Sequence, residues 1–113
     1  MLGQIKETTG KPVLHPDAKD ASVKVLVGSN EGWNHVMRVF ELEVGGHTPK
    51  HAHDWPHINY ILEGSGVLFL NGLENKVEAG SYAYIPSNEL HQFRNVGNEV
   101  FKFICIVPSE NHK

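Results

Sequence analysis

Cys105 is the only cysteine in a chain of 113 residues. A lone thiol rules out an internal disulfide and suits a reducing compartment. No stretch approaches the roughly eighteen consecutive apolar residues of a membrane span. The segment Met1-Leu2-Gly3-Gln4-Ile5-Lys6-Glu7 lacks the apolar core of a secretory signal, so the expected location is cytoplasmic. Basic residues are not in excess either: ten Lys and Arg stand against thirteen Asp and Glu, a formal net charge of −3. That leaves no electrostatic footprint for nucleic acid. An amphipathic helical period is also missing throughout. Disorder is excluded in turn, because 40% of the residues are apolar and they fall in regular runs. The length holds one domain with a single core.

What the chain does contain is a series of short alternating strands. Ser22–Val27 is the first, followed by the loop Gly28-Ser29-Asn30-Glu31-Gly32. In Asn34–Val44 one parity reads Val36, Arg38, Phe40, Leu42, Val44, and this is the expected core face. Glu41 and Glu43 mark the outer face, where Met37 and Val39 indicate partial cover. Arg38 thus points inward, either as an ion-paired structural residue or as a contact to a ligand. Ile58–Leu62 and Val67–Leu70 follow, the latter ending at the hairpin dipeptide Asn71-Gly72. Lys76–Ala79, Ser81–Ile85, His91–Asn95 and Val100–Val107 complete the set; in the last, Lys102 faces solvent opposite Phe101, Phe103, Cys105 and Val107. Many short strands with glycine turns define an all-β sandwich or barrel.

Histidine is the residue used with most purpose. His51 and His53 are two apart, so an extended chain sends both imidazoles from one face. His57 follows the turn-forming Asp54-Trp55-Pro56 and can return to the same point; His91, far along the chain, is a fourth candidate. Such a pattern between apolar strands points to a metal site rather than to surface histidines. His15, His35, His47 and His112 read as surface or loop residues, with His47 alone sharing parity with His51 and His53.

These residues carry a resemblance. Gly45-x5-His51-x-His53-x3-His57-x6-Gly64 is similar to the first motif of the cupin superfamily, and Gly80-x5-Pro86-x-Asn88-x2-His91-x3-Asn95 to the second. The resemblance implies a cupin double-stranded β-helix, a jelly-roll barrel, spanning residues 1–113 as one domain, with residues 1–20 an arm available to a partner copy. It also implies that His51, His53 and His91 are ligands of one divalent metal ion near a barrel mouth. Two positions depart from the pattern. Asn88 replaces a glycine, which asparagine's tolerance of left-handed backbone allows. His57 stands where the family usually has glutamate; Asp54 is the alternative fourth ligand, although the spacing favours His57. The chain is in this respect similar to small four-histidine cupins, several of them loaded with manganese.

The substitution has a chemical consequence. Four neutral imidazoles leave the ion its whole charge of +2, whereas a glutamate would reduce it to +1, so an oxygen ligand is polarised more and the divalent state favoured. Manganese is the first expectation, then iron, nickel, zinc or copper, since imidazole suits them all. A closed tetrahedral zinc site is the competing structure. Parity places Phe93, Phe103, Cys105, Phe40 and Ile61 around the ligands, with Arg38 and Asn59 as polar groups and Trp55 at the rim. Cys105 reads as a buried core thiol. The expected function is a metal-dependent oxygenase or oxidative-cleavage enzyme acting on a small, mostly apolar molecule. A redox-neutral isomerase or decarboxylase and a non-catalytic binding module are the alternatives. A homodimer is expected, with Met37, Val39, Ile104 and Ile106 as the outer apolar positions needing cover; neither nucleic acid nor membrane is an expected partner.

Overall fold

A computed structural model describes residues 1–111; His112 lies outside the described residues. The strands are β1 (Lys11–Pro12), β2 (Lys19–Val27), β3 (His35–His47), β4 (His57–Glu63), β5 (Ser65–Leu70), β6 (Leu73–Glu78), β7 (Tyr82–Ile85), β8 (His91–Arg94) and β9 (Phe101–Pro108). Only short 3-10 turns interrupt them among the described residues, and no helix is long and apolar enough to cross a membrane. The strands form one curled antiparallel sheet ordered β6-β5-β8-β3-β9-β4-β7, with β2 paired to β3 and β1 to β2. This is the expected jelly roll. The long strand β3 joins its two halves: Val36–Leu42 pairs with β9, and His47 pairs with Arg94 of β8.

Alternation along β9 sets the interior. Phe101, Phe103, Cys105 and Val107 are all at most 4% exposed, while the residues between them are half-buried. Phe101 and Phe103 pack with Leu42, Ile61, Leu68, Ile85 and Phe93 in the larger core cluster. A smaller cluster of Val36, Cys105 and Val107 is flanked by Phe40 and Trp55. Burying one such side chain contributes roughly 1.5–3 kcal/mol, so these clusters hold the barrel without help from the histidines.

Several local expectations are corrected. Val44 is 57% exposed rather than inward. The reason is a shift of register between Ala21↔Leu42 and Lys19↔His47, with Gly45 at φ +81°, which breaks the alternation. β6 begins at Leu73 rather than Lys76, because the two-residue turn at Asn71 (φ 50°) and Gly72 (φ 87°) pairs Leu70 directly with Leu73. The outer apolar positions also differ: Val39 is fully buried and Met37, Ile104 and Ile106 are half-buried. Opposite Val39, Lys24 reaches Glu41 at 3.4 Å and the Ile5 carbonyl at 3.2 Å, so the chain's own N-terminal segment lies against this face. The exposed apolar face lies instead on β4 and β7, where Ile58, Tyr60, Tyr82 and Tyr84 are 51%, 45%, 84% and 61% exposed.

Candidate metal centre

Two segments far apart in sequence are stitched together at one end of the barrel. His51 N–H donates to the His91 carbonyl at 3.1 Å, and His91 N–H donates back to the His51 carbonyl at 2.9 Å. Two residues further on, Asn88 N–H donates to the His53 carbonyl at 2.6 Å. Asn88 can do so because it sits in left-handed backbone at φ 69°, the conformation that glycine or asparagine adopts most readily. Gly64, which closes the first motif, is at φ +81° and lies so tightly against the Val100 carbonyl that a Cβ would collide with it.

This backbone framework brings the imidazoles together. His51, His53 and His91 place their ligand nitrogens within 4.8 Å of one another. His57 joins from β4, its Nε2 lying 3.1 Å from Nε2 of His91. Its ring centroid is 4.8 Å from that of His91 and 5.3 Å from that of His53. His91 and His57 are buried, at 3% and 6% exposure. Asp54, the alternative carboxylate, is exposed and outside the three-histidine group.

In His53, His57 and His91 the far side of the ring fixes the tautomer. His53 Nδ1–H donates to the Trp55 carbonyl at 2.9 Å and His91 Nδ1–H to the Glu89 carbonyl at 2.8 Å, since a carbonyl can only accept. His57 Nδ1 is 2.7 Å from Oδ1 of Asn59, whose Nδ2 donates to the Ile104 carbonyl at 3.2 Å. With the amide so oriented, His57 Nδ1 must be the donor. All three Nε2 atoms therefore present lone pairs to the common point, and the lone pairs of His57 and His91 face each other at 3.1 Å. Two acceptors at that distance repel unless a cation lies between them. Cis ligands on an ion with bonds of about 2.1 Å stand about 3 Å apart, so the pair matches a shared metal ion. A locked Nδ1–H is also the usual outer support of a metal-binding histidine. The residues fit a divalent ion.

Burial keeps these rings neutral. Desolvation, with the neighbouring His91 second, lowers the pKa of His57 to about 3 against the pull of its Asn59 hydrogen bond. Desolvation, then His91 and His53, lowers that of His51 to about 4. His53 and His91 are lowered for the same first cause.

Of the residues expected around the ligands, Phe93, Phe103 and Ile61 lie in the larger core cluster, and Phe40 and Trp55 pack beside Cys105. Phe103 stacks between Phe93, at 4.2 Å, and Phe40, at 5.4 Å. Trp55 stacks flat on His53 at 4.1 Å and 4°. Asn59 is 1% exposed and acts on the ring of His57 as an orienting group. Cys105 Sγ is 3.7 Å from His57 Nδ1 and 3.6 Å from Arg38 Nη2, and burial raises its pKa. His47 is not brought to the cluster; its Nδ1 lies 3.1 Å from the Thr48 carbonyl. What sequence reading missed is the loop before β2: His15 has its ring 6.5 Å from that of His51, and Asp17 accepts from Lys50 N–H at 2.8 Å. Nothing in the local pattern of residues 13–18 signals this, because the contact is purely tertiary. Two open depressions, of about 280 and 470 Å³, lie along β2–β3 and beside β5–β6, away from the histidines.

The comparisons with known proteins agree with this geometry. The model of the cupin domain matches residues 38–107. The chain belongs to the cupin family. It is 32% identical over 85 residues to the 1-methylthio-D-xylulose 5-phosphate methylsulfurylase of Rhodospirillum rubrum, covering 75% of this chain and 54% of that protein. The chain spans about half the length of the curated relatives it matches. Among solved structures, the polyketide cyclase RemF of Streptomyces resistomycificus superposes with a TM-score of 0.89 at 30% identity, over 100% of this chain and 83% of that one. A predicted oxalate decarboxylase of Thermotoga maritima shares the fold, with a TM-score of 0.88 at 24% identity over 96% and 98% of the two chains.

Two outcomes are expected. In the metal-free protein, the depressed pKa values of His51 and His57 make these rings bind protons less readily than in the unfolded chain, where imidazole titrates near pH ~6.5. Stability is fully present above that pH and is lost as the pH falls toward about 4 and about 3, the folded values of His51 and His57. Urea denaturation between pH 7 and 4 measures this, and stability rising on acidification would contradict it. In metal titrations, His57→Glu retains an ion and His57→Ala binds it more weakly. Asn59→Ala lowers affinity by roughly 10- to 100-fold through loss of the orienting bond. Unchanged affinity in His57→Ala combined with loss in Asp54→Ala would transfer the fourth position to Asp54.

Proposed function

We propose that this chain is a metal-dependent enzyme in which His51, His53, His57 and His91 hold one divalent ion, manganese first, at the mouth of an aromatic-walled barrel. The observation that carries the reading is the convergence of four imidazoles in which His53, His57 and His91 direct their Nδ1 protons outward and their Nε2 lone pairs inward. A bound ion supplies an electrophilic centre that binds and polarises an oxygen ligand of the substrate or co-substrate. The protein's own groups shape what enters. Phe40 and Trp55, which pack beside Cys105 near the histidines, favour a small, mostly apolar molecule, and the stacked Trp55 holds His53 in place.

Among the alternatives within this reading, we place oxidative chemistry first. Isomerisation and decarboxylation call for a positioned proton donor or acceptor. Tyr60, Tyr82 and Tyr84, the tyrosines of the chain, point outward, so none of them stands beside the histidines in that role. A redox-neutral cyclisation is the second reading, favoured by the full-length likeness to RemF at 30% identity. The test is turnover of a panel of small aromatic molecules by manganese-loaded protein, followed by oxygen electrode and product analysis. Oxygen uptake matching substrate loss is expected. Conversion that continues undiminished without oxygen selects the redox-neutral reading, and saturable binding without conversion identifies a binding module.

We propose further that the domain, residues 1–113, works as a cytoplasmic homodimer through the outer face of β4 and β7. Ile58 and Tyr60 pair across the strands with Tyr84 and Tyr82, so four exposed apolar side chains form one continuous patch. Such a patch calls for a partner, and a second copy presenting the same apolar face can cover it. Light scattering at micromolar concentration should give a dimer for the parent and a monomer for the double variant Tyr60→Glu/Tyr84→Glu; a monomeric parent would remove the idea.

A further inference from the structure

The guanidinium of Arg38 is a charge without a counter-charge in the barrel. Arg38 lies on the inward parity of β3, level with Cys105 of β9, which is level in turn with Asn59 of β4. Its Cζ sits 5.1 Å over the ring of Phe40. Its one polar contact among the described residues is a weak one, Nη2 to the Cys105 sulfur at 3.6 Å. Nε is sealed from solvent and has no hydrogen-bond partner, and no carboxylate lies within ion-pair distance among the described residues. Leaving a partly buried cation so poorly matched costs stability. The site therefore holds an always-charged guanidinium beside four histidines that burial keeps neutral, and an ion bound by those histidines would add positive charge. Asp54 and Asp17 act electrostatically on His53 and His51, but neither forms an ion pair with Arg38.

Resting on the metal-centre reading above, we propose that Arg38 is the anion anchor of the site and that its ligand is a small molecule with one carboxylate. Among the described residues Nη1 has no hydrogen-bond partner and Nη2 is only weakly engaged, so the outer pair of the guanidinium can take both oxygens of a planar oxyanion. The apolar remainder of such a ligand then lies against Phe40, over which Arg38 sits, and Trp55, both of which pack beside the cluster that holds Cys105. The carboxylate supplies the ion-pair partner that Arg38 lacks among the described residues, and the planar fork selects it over a neutral amide of the same shape. In this reading Arg38 binds and orients the ligand, and the sulfur of Cys105 positions the guanidinium from behind.

The probes are propionate and its neutral counterpart propionamide, titrated into the metal-free protein and into the zinc-loaded protein, which remains diamagnetic. The Nε–H resonance of Arg38 is followed by NMR. Propionate should shift that resonance saturably in both forms, and propionamide should bind about tenfold more weakly or not at all. R38M should lose about tenfold or more in propionate affinity, while R38K, which keeps the charge without the fork, should fall between. Zinc content measured on the same samples should be unchanged in both variants. Equal binding of the two probes to the parent, or undiminished propionate binding by R38M, would overturn the proposal. If the parent holds no zinc, the metal-centre reading fails by itself, and the metal-free titration still decides the role of Arg38.

Discussion

Two imidazole nitrogens facing each other at 3.1 Å, each with its proton committed to the opposite side of its ring, are the constraint on which this site depends. Protonation could relieve the repulsion, but burial has pushed the pKa of His57 down to about 3, so near neutral pH the ring stays uncharged. A cation at the convergence point relieves it instead. The site is thus prepared to exchange water for a metal ion rather than for a proton. That preference is built from the carbonyls of Trp55 and Glu89 and the amide of Asn59.

The barrel makes this arrangement affordable only because its core is elsewhere. The aromatic cluster around Phe101 and Phe103 packs apart from the histidines, and the ladder between His51 and His91 sets the distance between the two motif segments. Histidines do not have to pack the core, so their rings are free to be oriented by polar partners. Asn88 shows how closely backbone and site are coupled. Its left-handed conformation lets its N–H reach the His53 carbonyl, and a β-branched residue there would strain that contact.

Much of this was legible in the sequence because it rests on local rules. Alternation located the inward residues of β9, Asn71-Gly72 located a hairpin, and the histidine pattern pointed to a group, His51, His53 and His91, that could hold a metal ion. Where reading failed, long-range register decided the outcome. Val44 turns outward because β2 and β3 slip against each other, and Val39 is buried because the N-terminal segment folds back, neither of which a single strand can announce. The approach of His15 and Asp17 to the His51 segment is of the same kind. Arg38 was legible as an inward charge, but its lack of a partner became visible only once the neighbouring strands were in place.

The central claim is that four imidazole nitrogens, and no thiolate or carboxylate, surround one ion. X-ray absorption spectroscopy on the manganese- and zinc-loaded protein addresses it directly, because multiple-scattering features count imidazoles and sulfur is distinguished by its longer bond. The account predicts four imidazole ligands at about 2.0–2.2 Å and no scatterer at the roughly 2.3 Å of a metal–sulfur bond. A sulfur shell from Cys105, or a first shell fitted by only two imidazoles with carboxylate oxygen, would contradict it.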